Sequence, residues 1–218
     1  MFLGHYALGL AAKRVDNKPS LGTMLMAAQF IDLLWPIFLI IGVEKVEIDP
    51  GNTEFTPLNF THYPYSHSLT ATICWAILFG IVYYVVSKNR KGALLLGLLV
   101  LSHWVLDFIT HRADLPISFS EQQKVGLGLW NDKMLTLAIE SILFIAGLFI
   151  YLRSTKAANK KGNYLFWVFI ILITSIYIGS VFGPTPTSVP ALMYSALGQW
   201  LFIAFAYWVD NNRKALII

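Results

Sequence analysis

Apolar residues run along this chain in blocks of about twenty, the length needed to cross a hydrocarbon layer. Six blocks stand out: roughly Leu21–Val43, Ser68–Ser87, Gly92–His111, Lys133–Leu152, Tyr164–Phe182 and Ala191–Val209. An earlier apolar stretch, Phe2–Ala12, is too short to span. It predicts a short helix entering only part of the layer, supported by protein on its inner side. Trp35-Pro36 predicts a kink in the first span, and GPTPTSVP, from Gly183 to Pro190, an uncharged turn between the last two. No long linker, low-complexity insert or repeat interrupts the blocks. Residues 1–218 therefore read as one all-α integral-membrane domain, a polytopic transmembrane helical bundle.

Composition agrees. Of 218 residues, 56% are hydrophobic and only 13% charged, whereas a soluble domain is nearer a quarter charged. Cys74 is the sole cysteine, which excludes an intramolecular disulfide. Cys74 and the methionines are expected in the core. The start, MFLGHYALGLAAKR, has no basic residue before its apolar stretch, a poor secretory signal, so it is expected to stay in the mature protein.

The loop charges orient the spans. Lys13, Arg14, Lys18, Lys88, Arg90, Lys91, Arg153, Lys156, Lys160, Lys161, Arg213 and Lys214 are 12 of the 16 basic residues, and all fall on one side. The other side carries Lys45, Arg112, Lys124 and Lys133, with seven of the 12 acids. The positive-inside tendency makes the basic loops and the C-terminus cytoplasmic. The net charge of +4 is thus a topology signal rather than a nucleic-acid footprint, and no nucleic-acid partner is expected. Trp130 fits an aromatic belt at the boundary.

Asp32, Asp107 and Glu140 remain, acids that no loop accounts for. Ionisable groups inside a membrane usually face protein and serve a function. At 1.5 Å per residue, Asp32 and His103 both lie about 18 Å from the cytoplasmic edge, and Asp107 about 6 Å further out. Glu140 descends about 10 Å from the outer side, and His5 reaches about 12 Å from the inner one. His67 opens the second span and His111 closes the third.

His103 and Asp107, at i and i+4, share a helical face and can hold one metal ion. Asp32 and His67 complete a mixed nitrogen and oxygen set, and His5 and Glu140 lie at compatible depths. Such a set suits Zn²⁺, with Mn²⁺ or Fe²⁺ as alternatives, better than Ca²⁺. Taken singly, each of these groups is as readily a helix–helix hydrogen-bonding residue, and the His-x-x-x-Asp spacing alone is a weak signal. His62 in THYPYSHS precedes Pro64 by two and reads as a loop or outer-shell group, and Asp114 as a surface loop acid.

Four pieces, GHYALGLAAK, QFIDLLWP, YSHSL and SHWVLDFITHRADLP, occur in that order, followed by KVGLGLWND and a span carrying Glu140. Together they resemble the membrane-bound, metal-dependent hydrolase-like family of bacterial inner membranes, which includes a LexA-regulated member. The resemblance covers about residues 1–150; the two further spans within 164–209 are plainly apolar. It implies a compact helical bundle with metal ligands on the first helices: Asp32, His67, His103 and Asp107, with His5 matching an N-terminal histidine. The family commonly shows Pro-Asp followed by a second acid. Here Gln29-Phe30 precedes Asp32 and Leu34 follows, which favours one ion over two.

The leading expectation is a hydrolase whose metal activates water in the outer half of the bilayer against a lipid-like or amphipathic substrate. Glu140 is the candidate general base, and His111 or His62 would protonate the leaving group. The loop Arg112–Lys133, with Gly126 and Gly128, could serve as a lid. A proton-coupled transporter using the same acids and histidines is the main rival. A non-catalytic scaffold is the third reading. Spans five and six carry no ionisable group until Asp210, which favours a cup opening outwards over a through-path.

Overall fold

In a computed structural model, residues 1–216 are described, and the chain forms a helical bundle with three small two-stranded ribbons. Phe2–Ala11 is α1. Leu21–Ala28 (α2) and Phe30–Ile40 (α3) follow, then the short Pro64–His67 (α4), Leu69–Ser87 (α5) and Arg90–Thr110 (α6). Lys133–Ser154 (α7) and Lys160–Phe182 (α8) precede Val189–Leu197 (α9) and Gln199–Asp210 (α10). Five stretches are long and apolar enough to cross a membrane, with α9 and α10 counted as one, or six if the bent pair α2 and α3 is one span. Their outward faces carry exposed Val86, Leu94, Ile142 and Leu201, a surface suited to lipid. Cys74, expected in the core, is exposed.

The first span is broken by 60°, but not where proline predicts. The break falls at Gln29, while Pro36 lies inside the unbroken α3. The break frees the last carbonyls of α2, of which the site uses that of Ala28.

The short helix α1 is held by protein on several sides. Leu3, Tyr6 and Leu10 join a core with Leu21 and Leu25 of α2, Phe144 of α7 and Phe169 of α8. At Gly147 the α7 backbone lies so near Ala7 that a side chain would meet its carbonyl oxygen. The second core, Met24, Ile31, Leu96 and Val100 among others, joins α2 and α3 to α5 and α6.

Each end is closed by loops. At the basic end Lys13 bonds Asp210 at 3.1 Å, and Asn89 bonds Asp16 at 2.8 Å. There, Thr155–Ala157 (β5) pairs with Arg213–Ala215 (β6). At the other end lie two ribbons, Lys45–Ile48 (β1) with Leu58–His62 (β2), and Leu115–Pro116 (β3) with Lys124–Val125 (β4). Hydropathy periodicity over 20-residue windows does not register strands this short.

Candidate functional site

The ionisable groups of five segments meet near the N-terminal end of α1 and the C-terminal half of α6. Asp107 is their hub. Its Oδ2 lies 3.1 Å from His103 Nε2 and 3.8 Å from His67 Nε2. Asp32 Oδ1 lies 3.3 Å from His67 Nε2 and 3.6 Å from His103 Nε2. Metal–ligand bonds of about 2.0–2.1 Å in a tetrahedron put neighbouring donors about 3.3 Å apart. The four separations bracket that value, and Asp32, His67 and His103 bring one donor atom each within 4.8 Å of one another, with Asp107 Oδ2 beside both nitrogens.

The folding of each segment explains why these nitrogens point inward. His103 Nδ1 donates to the Ala28 carbonyl at 2.8 Å, one of the groups released at the end of α2. Its Nε2 has no other hydrogen-bond partner among the described residues. His67 is fixed by a relay from the loop after α3. Glu44 accepts from the amides of Tyr65 and Ser66 at 2.9 and 2.7 Å, and from the Ser66 hydroxyl at 2.7 Å. Ser66 has thus given away its proton and accepts from His67 Nδ1 at 2.7 Å. Both imidazoles therefore turn Nε2 toward two carboxylates, and in the neutral ring that nitrogen offers its lone pair. Asp32, in the first turn of α3, has the positive helix end beside it.

Glu44 was not singled out by sequence; it read as one of seven loop acids setting topology. Burial pushes its carboxyl above the ordinary value, partly offset by the charge of His67 and the hydrogen bonds of Ser66 and Tyr65. Outer partners of this kind typically contribute 10–100-fold to metal affinity. Ser66→Ala, which removes the acceptor that fixes His67, is expected to weaken Zn²⁺ binding by about that factor, measured by competition with a chelator. Unchanged affinity would sink the relay.

His5 stacks on His103, with ring centres 3.6 Å apart and planes 5° from parallel. Its Nε2 contacts the opposite oxygen of Asp107, Oδ1, at 3.1 Å, beside the Met1 amino group at 2.6 Å. Two overlapping groups could hold an ion: His5, His103 and Asp107, or Asp32, His67 and His103. They share His103, which has one nitrogen free, so together they serve a single ion. The second group, extended by Asp107 Oδ2, has the fuller donor set. His5 then acts on Asp107 from behind.

Glu140 is buried on α7, and its Oε2 accepts from the Leu3 amide at 2.6 Å. The structure thus places the expected general base at the N-terminal end of α1, where it caps the helix; Oε1 has no partner among the described residues.

His111 ends α6 and is buried. Its ring centre is 6.5 Å from that of His67, and Trp130 packs over it at 4.3 Å. Its Nδ1 lies 3.0 Å from Asp114 Oδ1. Asp114, expected at the surface, is buried. Burial raises its carboxyl, but the hydrogen bonds and charges of His111 and Arg112 outweigh that and hold it below the ordinary value. Tyr63 donates to the same oxygen at 3.3 Å. Burial and then the Asp114 charge push the Tyr63 hydroxyl well up, keeping it a donor. His62 is half exposed and pairs with Glu121 of the loop after α6.

The loop after α6 is stitched down over this layer. Leu127 N bonds Phe108 O at 2.8 Å, and Gly128 N bonds His111 O at 2.7 Å. Gly126, at φ +157°, passes so close to the Arg112 and His111 carbonyls that no side chain fits. Trp130, expected at the membrane boundary, packs on Phe55, Phe60 and His111.

No protein family, characterised protein or solved structure matches the chain. Chemical assignment therefore rests on the site's geometry.

Proposed function

We propose that the chain is a membrane-embedded, metal-dependent hydrolase with one divalent transition metal held by Asp32, His67, His103 and Asp107. Zn²⁺ suits a set of imidazole nitrogens and carboxylate oxygens, with Mn²⁺ or Fe²⁺ as alternatives. The observation that carries the proposal is the pairing of two imidazoles, each with its Nδ1 proton already placed, against two carboxylates 3.1–3.8 Å away. With both rings neutral and no cation between them, lone pairs would face lone pairs in a buried site. When bound, such an ion lowers the pKa of water and polarises a carbonyl or phosphoryl oxygen.

The chain's own groups supply the rest. Asp32 is the open corner, its side chain 25% exposed while the other three donors are nearly closed off. His111, oriented by Asp114 and Tyr63, is placed to move a proton toward a leaving group. Trp130 and the stitched loop exclude water from the outer side.

The four motif pieces and their likeness to the bacterial hydrolase-like family support the same reading. The gathering of Lys13, Asn89, Arg213 and their loops at the end away from the site supports cytoplasmic basic loops and C-terminus, with the site facing the outer half of a bacterial inner membrane. A donor set at that depth favours a lipid-like or amphipathic substrate entering from the bilayer. The test is elemental mass spectrometry on detergent-purified protein. About one Zn²⁺, Mn²⁺ or Fe²⁺ per chain is expected, with hydrolysis of lipid esters lost to a chelator and restored by the metal. A wild type that stays metal-free after supplementation would refute it, and flux in proteoliposomes would then favour a transporter.

A further inference from the structure

Away from the His/Asp cluster, α5 and α6 share an outward face that is hollowed rather than ridged. At Gly80 and Gly97 the two backbones come so close that a side chain would meet the Ala93 and Ala76 carbonyl oxygens at 3.1 Å. The small pairs Ala76–Gly80 and Ala93–Gly97, each one helical turn apart, are thus used in packing α5 on α6. Beside them a groove of about 640 Å³ runs between Ile77 and Ile81 on one bank and Leu94 and Leu98 on the other. All four bank residues are exposed. From Arg90 to Leu101 the groove rises about 16 Å along α6. A hydrocarbon layer of about 30 Å gives each leaflet about 15 Å, so the groove is one leaflet long.

The charges at one end narrow the occupant. Tyr84 and Arg90 line the end nearest the basic loops, and Arg90 and Lys88 both stand 6.0 Å from the centre of the Tyr84 ring. Among the described residues, the Lys and Arg side chains paired with an acid are Lys13, Arg112 and Lys124, so neither Lys88 nor Arg90 is neutralised. No acid lines the groove. Asp16 touches the same turn through Asn89 at 2.8 Å, but it is buried and also accepts from the Lys18 amide at 3.0 Å. We infer that the groove holds an acyl chain of one anionic glycerophospholipid, with the lipid phosphate at Lys88 and Arg90. A phosphate there gains charge-assisted contacts with both cations. A zwitterionic lipid would bring its own ammonium group to them. A second copy of the chain in the same membrane has the same orientation, so groove-to-groove pairing would set Lys88 and Arg90 against their own copies. The inference needs the chain to span a membrane and stands apart from the metal site.

The test titrates full-length protein in a neutral detergent with dioleoyl phosphatidylglycerol or dioleoyl phosphatidylcholine and reads bound lipid by native mass spectrometry. One phosphatidylglycerol per chain is expected, held about tenfold or more tighter than phosphatidylcholine. Lys88→Asn combined with Arg90→Gln should abolish that preference; asparagine tolerates the left-handed backbone of position 88, at φ +56°. Lys160→Gln combined with Lys161→Gln removes two exposed cations of the same end that lie outside the groove, and should preserve it. Leu98→Trp adds bulk on an exposed bank and should weaken phosphatidylglycerol by about tenfold, whereas Ile142→Trp on the exposed face of α7 should not. Unfolding temperatures without added lipid should match the wild type and so report an intact fold. Equal affinity of the wild type for the two lipids overturns the inference, as does an equal loss in the Lys160 and Lys161 variant. So does a Leu98→Trp protein that binds phosphatidylglycerol as the wild type does.

Discussion

His103→Ala is expected to leave the protein without its metal, taking the content from about one ion per chain to under a tenth. His103 is the donor with the most at stake. It faces Asp107 Oδ2 at 3.1 Å and Asp32 Oδ1 at 3.6 Å, belongs to both groups that could hold an ion, and is fully buried. Its removal leaves His67 as the one imidazole facing both Asp32 Oδ1 and Asp107 Oδ2. The competing account makes His103 an imidazolium, donating from Nδ1 to Ala28 and from Nε2 to the carboxylates, with no metal at all. The two accounts part in a thermal experiment. A ligand at 100 times its dissociation constant stabilises a fold by about 2.7 kcal/mol. Chelation should therefore lower the wild-type unfolding temperature and leave that of His103→Ala unchanged. If a chelator moves neither midpoint, the imidazolium account stands.

Much of this site was legible from spacing. His103 and Asp107 sit one helical turn apart, and Asp32 and His67 lie at matching depths, because a membrane span turns residue number directly into height. What escaped was whatever depends on the chain leaving regular helix. Pro36 marks a kink by its missing amide, yet α3 runs through it and the break falls at Gln29. Hydropathy does not register that break, and with it the freed Ala28 carbonyl that turns His103. Glu44 and Asp114 read as loop acids because their partners, Ser66 and His111, come from folding over of the outer layer. His5 was legible as a member of the cluster, but which oxygen of Asp107 it meets follows from how α1 docks on α7.

Docking of α1 is also where the second large effect is expected. Its first amides are orphan donors sunk among apolar side chains, and Glu140 reaches across from α7 to accept at 2.6 Å. A carboxylate is also favoured by the positive end of the helix it caps. Glu140→Ala would leave those amides buried and unpaired, a loss of about 1–3 kcal/mol. Because α1 carries His5 and Tyr6, the same change should loosen the back of Asp107 and weaken metal binding. Glu140→Gln keeps an acceptor oxygen of nearly the same shape. It is expected to unfold near the wild-type temperature, hold about one metal ion and retain hydrolysis within about tenfold. A general base behaves otherwise: its amide counterpart folds and binds metal but loses about 10²–10⁴ in rate. Measuring midpoint, metal and rate on the two variants therefore separates a residue that positions α1 from one that takes a proton. A stable, metal-replete Glu140→Gln with rate lost on that scale would return Glu140 to the chemistry.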